Sequence, residues 1–367
     1  MANQQFVLMP GCSRPTDPGD GTLRRPAGSD DRQEPKMQKK FATSRGWDMH
    51  RIVVLWSLFF AGMLTTMTPA AAVTAIGYAV PACTGNAATD TATLKSAFAR
   101  GGLLLLPECE YVVSATLRLP KNAQLLGAGY TKTVLRSVIT NGSPLIDSAP
   151  NDFASGIRVA DIGFKGPYGN GQVGTGDALL LYGATNIAVF ERLSIEDFGG
   201  NAFTFKRQSK NPGDPTTLLN AEFDTIIIHD VGGYAFDIQD RVHATWNNIE
   251  INSPMLGGFR FRKGGTSNST FILITDLVAQ WQDAWSSKNH VVVFDIANYQ
   301  PITLVNCVLS VSAAATATNL TFMRTNSTNN PNFLGCQATG SPFKYWLADT
   351  KNPQRNIPYS SSINYRF

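Results

Sequence analysis

Five times along the chain a bulky apolar residue is followed by two spacers and then by apolar residues at alternating positions. The segments are Phe190-Glu-Arg-Leu-Ser-Ile195, Phe223-Asp-Thr-Ile-Ile-Ile228, Trp246-Asn-Asn-Ile-Glu-Ile251, Ile274-Thr-Asp-Leu-Val-Ala279 and Leu304-Val-Asn-Cys-Val-Leu309. A second strand-like piece follows at a constant offset of ten residues: Phe203-Thr-Phe205 after Leu193, Phe236-Asp-Ile238 after Ile226, and Phe259-Arg-Phe261 after Ile249. Gly199-Gly200, Gly232-Gly233 and Gly257-Gly258 stand in the interval, where a tight corner is needed. Successive first strands are 33, 23, 28 and 30 residues apart, so the period is elastic and the surplus goes into connections such as residues 207–219. A coil of this size cannot bury its own inward row, and stacking of coils supplies the core. The expected fold class is therefore all-β, a single-stranded right-handed parallel β-helix. A β-sandwich is the rival on strand spacing alone, and the fixed ten-residue corner favours the solenoid. Plentiful Gly and Pro with only 16% charged residues suit many short strands joined by turns.

The strongest apolar run, residues 52–64 (IVVLWSLFFAGML), follows a basic stretch and precedes the small residues Ala70 and Ala72. This is the pattern of a signal peptide, its apolar core too short to span a bilayer comfortably. Cleavage after Ala72 is expected, an uncleaved signal anchor being the alternative. Residues 1–36 are polar and without periodicity, and read as an unstructured leader or a mis-assigned start, with Met37 or Met49 as more ordinary starts. The expected organisation is a leader over 1–36, a signal peptide over 37–72, a β-helix with its N-terminal cap over 73–343, and a tail over 344–367 covering the last coil. The product would be secreted, periplasmic or extracellular, with no stable membrane anchor after cleavage.

Four of the five cysteines, Cys83, Cys109, Cys307 and Cys336, follow the cut, an even set for an exported chain. Three pairings are possible; separations of 26 and 29 residues, close to the coil period, favour Cys83–Cys109 and Cys307–Cys336. Of 31 Lys/Arg and 27 Asp/Glu, residues 1–72 hold nine and six, which leaves 22 against 21, a formal +1. Nothing in that balance points to nucleic acid. Sequons at Asn141, Asn268, Asn319 and Asn326 would be used only in a eukaryotic secretory route.

Upstream of the coils, residues 89–98 (TDTATLKSAF) predict a short amphipathic helix, started near Thr or Asp, ended by Gly101-Gly102 and placed to cap the open end. Four strand-like pieces follow, around Leu103, Tyr111, Leu117 and Leu125. With Leu106-Pro107, Tyr111, Leu119-Pro120 and Leu126-Gly-Ala-Gly129, this region resembles the pectate-lyase-like superfamily, and with the coils the resemblance covers about residues 85–340. It implies a parallel β-helix. For activity it implies little, because chemistry on this fold ranges from hydrolysis through elimination to binding alone. Cys109 replaces the usual glycine of the Pro-x-Gly-x-Tyr turn, as a local disulfide would require.

In a β-helix, equivalent positions of successive coils stack at the strand spacing, so outward residues form ladders. On the second strand one ladder reads Leu180, Thr204, Asp237, Arg260, Asp295, and the next Tyr182, Lys206, Gln239, Arg262, Ala297. Asp237 and Asp295 should stand on the order of 9–10 Å apart, near the upper end of carboxyl separations in inverting glycosidases. Arg260 between them suits an acidic sugar's carboxylate or a developing enolate; the plainer reading is an exposed ion-pair ladder. On the first strand the ladder Glu196, His229, Asn252, Gln280 makes Glu196 and His229 neighbours, a pair suited to acid/base work. Asp237, Arg260, Asp295, Glu196 and His229 are thus the candidate catalytic residues; Tyr182, Lys206, Arg262, Trp281 and Trp285 are the candidate substrate contacts, the aromatics by stacking on sugar faces.

The mature region lacks the Asn-Thr-Asp, Asp-Asp, Gly-His-Gly and Arg-Ile-Lys set of polygalacturonases, a phosphate loop, a zinc-spaced cluster and a calcium-binding nonapeptide array. No cofactor is expected; a single Ca2+ on Asp237 or Asp295 has no motif behind it. The expected function is action on an extracellular or cell-wall polysaccharide, as a lyase or glycoside hydrolase. The alternative is a non-catalytic glycan-binding or surface adhesion protein.

Overall fold

Each coil contributes one strand to each of two sheets, and the coils register as the repeat predicts. In the first sheet Leu193 pairs with Ile226, Ile226 with Ile249, Ile249 with Leu277 and Leu277 with Cys307. In the second, Leu179, Phe203, Phe236, Phe259 and Phe294 follow one another. The structure is a computed structural model that describes residues 77–148, 155–168, 176–183, 185–207, 216–239, 241–262, 271–281, 291–297, 302–311, 321–325, 332–340, 345–349 and 357–358. The chain divides into Met1–Ala72 and Val73–Phe367, and all described residues belong to the second unit. The leader, the apolar run, Cys12 and Trp285 lie outside them.

Among the described residues one sheet has 14 strands and the other ten, and every pairing is parallel except the last. The chain passes from the first sheet to the second and back within each coil, for example Arg158–Lys165, Leu179–Tyr182, Val189–Glu196, Phe203–Lys206. This is a parallel β-helix, as the superfamily resemblance implies. Tyr345–Asp349 still pairs in parallel with Thr321–Thr325, and Ile357–Pro358 then pairs antiparallel with Tyr345–Asp349.

The two spacers in every first strand have a backbone cause. The second of them is in the left-handed region in six successive coils: Asp161, Arg192, Thr225, Asn248, Asp276 and Asn306 have φ between 50° and 60°. One such residue turns the strand, so that the side chains on both sides of the spacer pair point inward; Phe190 and Leu193 are both fully buried although three residues apart. Asp and Asn tolerate this conformation because their short polar chains bond locally; β-branched Thr225 does not share that tolerance.

The interior is a pair of ring stacks. Phe190, Phe223 and Trp246 stack at 5.0 and 5.1 Å between centroids, and Phe203, Phe236, Phe259 and Phe294 at 5.0, 4.8 and 5.2 Å. These separations follow from the strand spacing of about 4.8 Å, which fixes the rise per coil. The stacks meet edge to face, Phe190 against Phe203 at 5.5 Å, a geometry that adds about 0.5–1.5 kcal/mol per pair beyond area burial.

The helix runs over Ala87–Arg100, longer than predicted, and its N-cap is Asn86, whose Oδ1 accepts from the amides of Ala88 and Thr89 at 3.1 Å. Asp90 sits instead on the buried face. Its carboxylate accepts from Thr84 N (2.7 Å), Thr84 Oγ1 (2.8 Å), Gly85 N and Val112 N (both 3.1 Å), tying the helix to the first coils. Both favoured disulfides form, Cys83–Cys109 between the lead-in and Cys109–Val113, and Cys307–Cys336 inside the core of neighbouring coils.

Candidate functional site

The outer face of the second sheet carries most of its chemistry-bearing side chains in one register line. Register places Arg118, Asp147, Leu180, Thr204, Asp237, Arg260, Asp295, Arg324 and Ala348 in one line across successive coils. Arg118, Leu180, Thr204, Asp237, Arg260 and Asp295 point outward because each lies between two inward apolar residues; Arg260, for instance, is flanked by buried Phe259 and Phe261. A second line runs two residues further along, Tyr182 beside Lys206 and Gln239 beside Arg262.

The carboxylates of this face are held by arginines. Arg262 Nε donates to Asp237 Oδ1 at 2.6 Å and its Nη2 to Oδ2, so Asp237, which is 3% exposed, is gripped on both oxygens. Arg324 grips Asp295 in the same way, with Nε donating to Oδ1 at 2.9 Å. Such bidentate pairs are the strong, planar form of ion pairing. Arg260 differs. Its Nε lies 3.6 Å from Asp295 Oδ2, and its guanidinium sits 5.2 Å above the centre of the Tyr234 ring. The Tyr234 hydroxyl is raised in pKa by burial and then by the negative charge of Asp295, with Arg260 and Arg324 opposing.

At the N-terminal end of the face, Arg118 Nε lies 3.1 Å from Asp147 Oδ1, close enough to pair but out of line for a hydrogen bond, which leaves that buried oxygen without one. Burial raises the Asp147 pKa, against the pull of Arg118. The Tyr182 phenol is raised by burial and then by Asp147.

Sequence reasoning overlooked Asp177. It stands at the corner of its coil, and burial raises its pKa, while hydrogen bonds from Asn201 N and the Thr204 hydroxyl and the charge of Lys206 oppose and that of Asp237 adds. The corner is a repeated device. Asp177 Oδ1 accepts from Asn201 N, and Asn201 Oδ1 from Tyr234 N, each at 2.7 Å. Each side chain crosses the glycine of the next coil: a Cβ on Gly200 would lie 2.3 Å from Asp177 Oδ1, and one on Gly233 2.2 Å from Asn201 Oδ1. The signal was present as Gly176-Asp-Ala-Leu179, Gly200-Asn-Ala-Phe203 and Gly233-Tyr-Ala-Phe236. Arg324 and Tyr234 were also missed.

On the first sheet Glu196 and His229 are register neighbours, but their side chains go elsewhere. Lys165 Nζ donates to Glu196 Oε1 at 3.0 Å, which raises the lysine's pKa. The His229 ring lies against Asn252 Nδ2, 3.3 Å from its Nε2, and that amide donates to Glu250 Oε1 at 2.8 Å. The structure does not join Glu196 and His229 as a pair.

Trp281 requires a correction. It is 1% exposed, and its Nε1 donates to Pro254 O at 3.1 Å. Along Phe271–Trp281 the indole continues the inward alternation of Leu277 and Ala279, so it closes the core and offers no sugar-stacking surface. Trp285 lies outside the described residues. Among the described residues no group of three or more His, Cys, Asp or Glu is placed to hold a metal ion, and no helix is long and apolar enough to cross a membrane. Two disulfides fit an extracytoplasmic compartment.

No known protein-family profile matches the chain. No curated protein matches it either. Among solved structures it is similar to the A-module of the mannuronan C-5 epimerase AlgE4 of Azotobacter vinelandii, with 15% identity over 75% of this chain and 90% of that one, TM-score 0.37. It is similar to PfbA, a surface adhesin of Streptococcus pneumoniae, with 10% identity, 77% and 94% coverage and TM-score 0.31. It is also similar to the catalytic domain of a GH87 α-1,3-glucanase in complex with nigerose, with 12% identity, 72% and 68% coverage and TM-score 0.27. These neighbours include carbohydrate-active enzymes and an adhesin. At such identities and scores none of them bears on what this chain does, and the assignment of the fold rests on the strand register.

Proposed function

We propose that this is an extracytoplasmic polysaccharide-active protein that lays a glycan chain along the outer face of the second sheet, acting as a lyase or glycoside hydrolase. The observation that carries the reading is the run Asp237, Arg260, Asp295, Arg324 on four successive coils, with Arg118 and Asp147 in the same line beyond Leu180 and Thr204. A polymer of repeating sugars is the ligand class whose own periodicity such a row matches, and fixed polar groups on regular elements hold geometry better than loops do. In this reading Arg260 and Asp295 contact the substrate above Asp237, which Arg262 covers, Tyr182, Lys206 and Arg262 flank it, and Asp177 supplies a carboxyl that burial keeps inclined to hold its proton, as a general acid requires. Glu196 and His229 take no part in this row.

A non-catalytic, glycan-binding role is the second reading, and one observation favours it. Both oxygens of Asp237 and of Asp295 already accept from a guanidinium, which leaves neither as an unengaged base. Incubating the mature protein with acidic and neutral polysaccharides, while following unsaturated-uronate absorbance and reducing ends, separates the two. New product from any polymer supports the enzyme. Binding without product from every polymer leaves the adhesin-like role, and neither binding nor product removes both.

A further inference from the structure

We infer that Arg260, seated over Tyr234, is an anion anchor that selects acidic glycans, gripping a sugar carboxylate in a guanidinium fork that donates no hydrogen bond among the described residues. This rests on the reading of the second-sheet face as a glycan platform and adds the class of sugar.

The argument begins with charge pairing inside the row. Arg262 neutralises Asp237 and Arg324 neutralises Asp295, each through two hydrogen bonds. Arg260, flanked in register by those same two carboxylates, is therefore the surplus cation between them. Its 3.6 Å approach to Asp295 is longer than a hydrogen bond, and its side chain is 34% exposed. The Tyr234 ring beneath it fixes the guanidinium by a cation–π contact, leaving the N–H edge of the plane to receive a ligand. A planar fork with five donors matches a carboxylate bidentately, and a neutral sugar offers no comparable partner. Exposed Lys206, two coils away on the same face, provides a second positive point for a polymer that carries a charge on repeated units.

The test measures binding of polygalacturonate, a sulfated glucan and an uncharged glucan to the wild-type protein and to Arg260→Gln, Arg260→Lys and Tyr234→Leu. Polygalacturonate should bind wild type and lose at least tenfold in affinity with Arg260→Gln, with a smaller loss for Arg260→Lys, which keeps the charge without the fork. The loss of affinity for the uncharged glucan should be smaller than that for polygalacturonate. Polygalacturonate bound by a folded Arg260→Gln within twofold of wild type overturns the inference, as does preference of the wild type for the uncharged polymer, although the latter leaves the glycan platform standing. Tighter binding of the sulfated glucan than of polygalacturonate overturns the carboxylate assignment. Should the variants fail to fold, or no polymer bind, sodium glucuronate titrated into wild-type protein decides the matter. The Arg260 Nε–Hε resonance must move with glucuronate and stay still with glucose. If it stays still with both, Arg260 is not an anion site; if it moves while no polymer binds, the platform reading alone falls.

Discussion

Asp237 and Arg262 pair diagonally across neighbouring coils, the guanidinium closing on both carboxylate oxygens of a side chain that is 3% exposed. Asp237 itself is almost wholly covered, whereas 45% of the arginine side chain meets solvent. Removing the arginine strands a desolvated acceptor, and removing both partners does not.

Arg262→Gln should accordingly destabilise the protein by about 1–3 kcal/mol, the partial exposure of the arginine holding the loss below that of a fully buried pair. Asp237→Asn combined with Arg262→Gln should recover part of it. Urea unfolding of the double-mutant cycle checks this, and additive losses would count against the coupling.

The helix latch predicts a pH dependence. Burial of Asp90 raises its proton affinity, but hydrogen bonds from Thr84, Val112 and Gly85 outweigh it, and the net pKa is lowered below the ordinary aspartate value. A depressed folded-state pKa gives stability that is present above the unfolded-state value and lost as pH falls through the folded one. Wild type should therefore lose thermal stability below the ordinary aspartate range, and Asp90→Asn should start lower at neutral pH and show a flatter acid limb. Equal slopes for the two proteins in melting experiments from pH 7 to pH 2 would remove this account.

Thr225 is the β-branched member of the left-handed row, at φ 54°. Thr225→Asn should stabilise by up to about 1 kcal/mol, because asparagine occupies that region more readily. Asn248→Val, at φ 52°, should cost about 1–2 kcal/mol by the reverse argument. Chemical denaturation of the two variants reads both effects, which have opposite signs.

Trp281 closes the core and donates to Pro254 O, so Trp281→Ala should cost about 3–5 kcal/mol. Trp281→Phe, which retains most of the volume, should bind any glycan ligand with wild-type affinity. A selective loss of binding in a stable Trp281→Phe protein would restore the stacking role.

The coil was legible because its cause is local. Inward rows such as Leu193, Ile226 and Ile249 must be apolar wherever coils stack, so their alternation and the ten-residue corner survive elastic loops and fix the strand register. The spacer pair was legible as a pattern and not as a conformation, since Asp161, Arg192 and Thr225 share no residue type, only a backbone angle. The disulfides were legible because each spans one coil.

The sequence by itself thus determined the order of the outer ladder from Leu180 to Asp295, because strand period and coil stacking depend on apolar placement alone. Tertiary structure decided what each side chain does. Side chains reach across coils: Arg262 spends its charge on Asp237, Lys165 draws Glu196 away from His229, and Asp177 bends beneath Gly200. A ladder position fixes where a Cα stands; the direction of a flexible charged chain is settled by competition among neighbours one and two coils away, and that competition leaves Arg260 as the row's surplus cation.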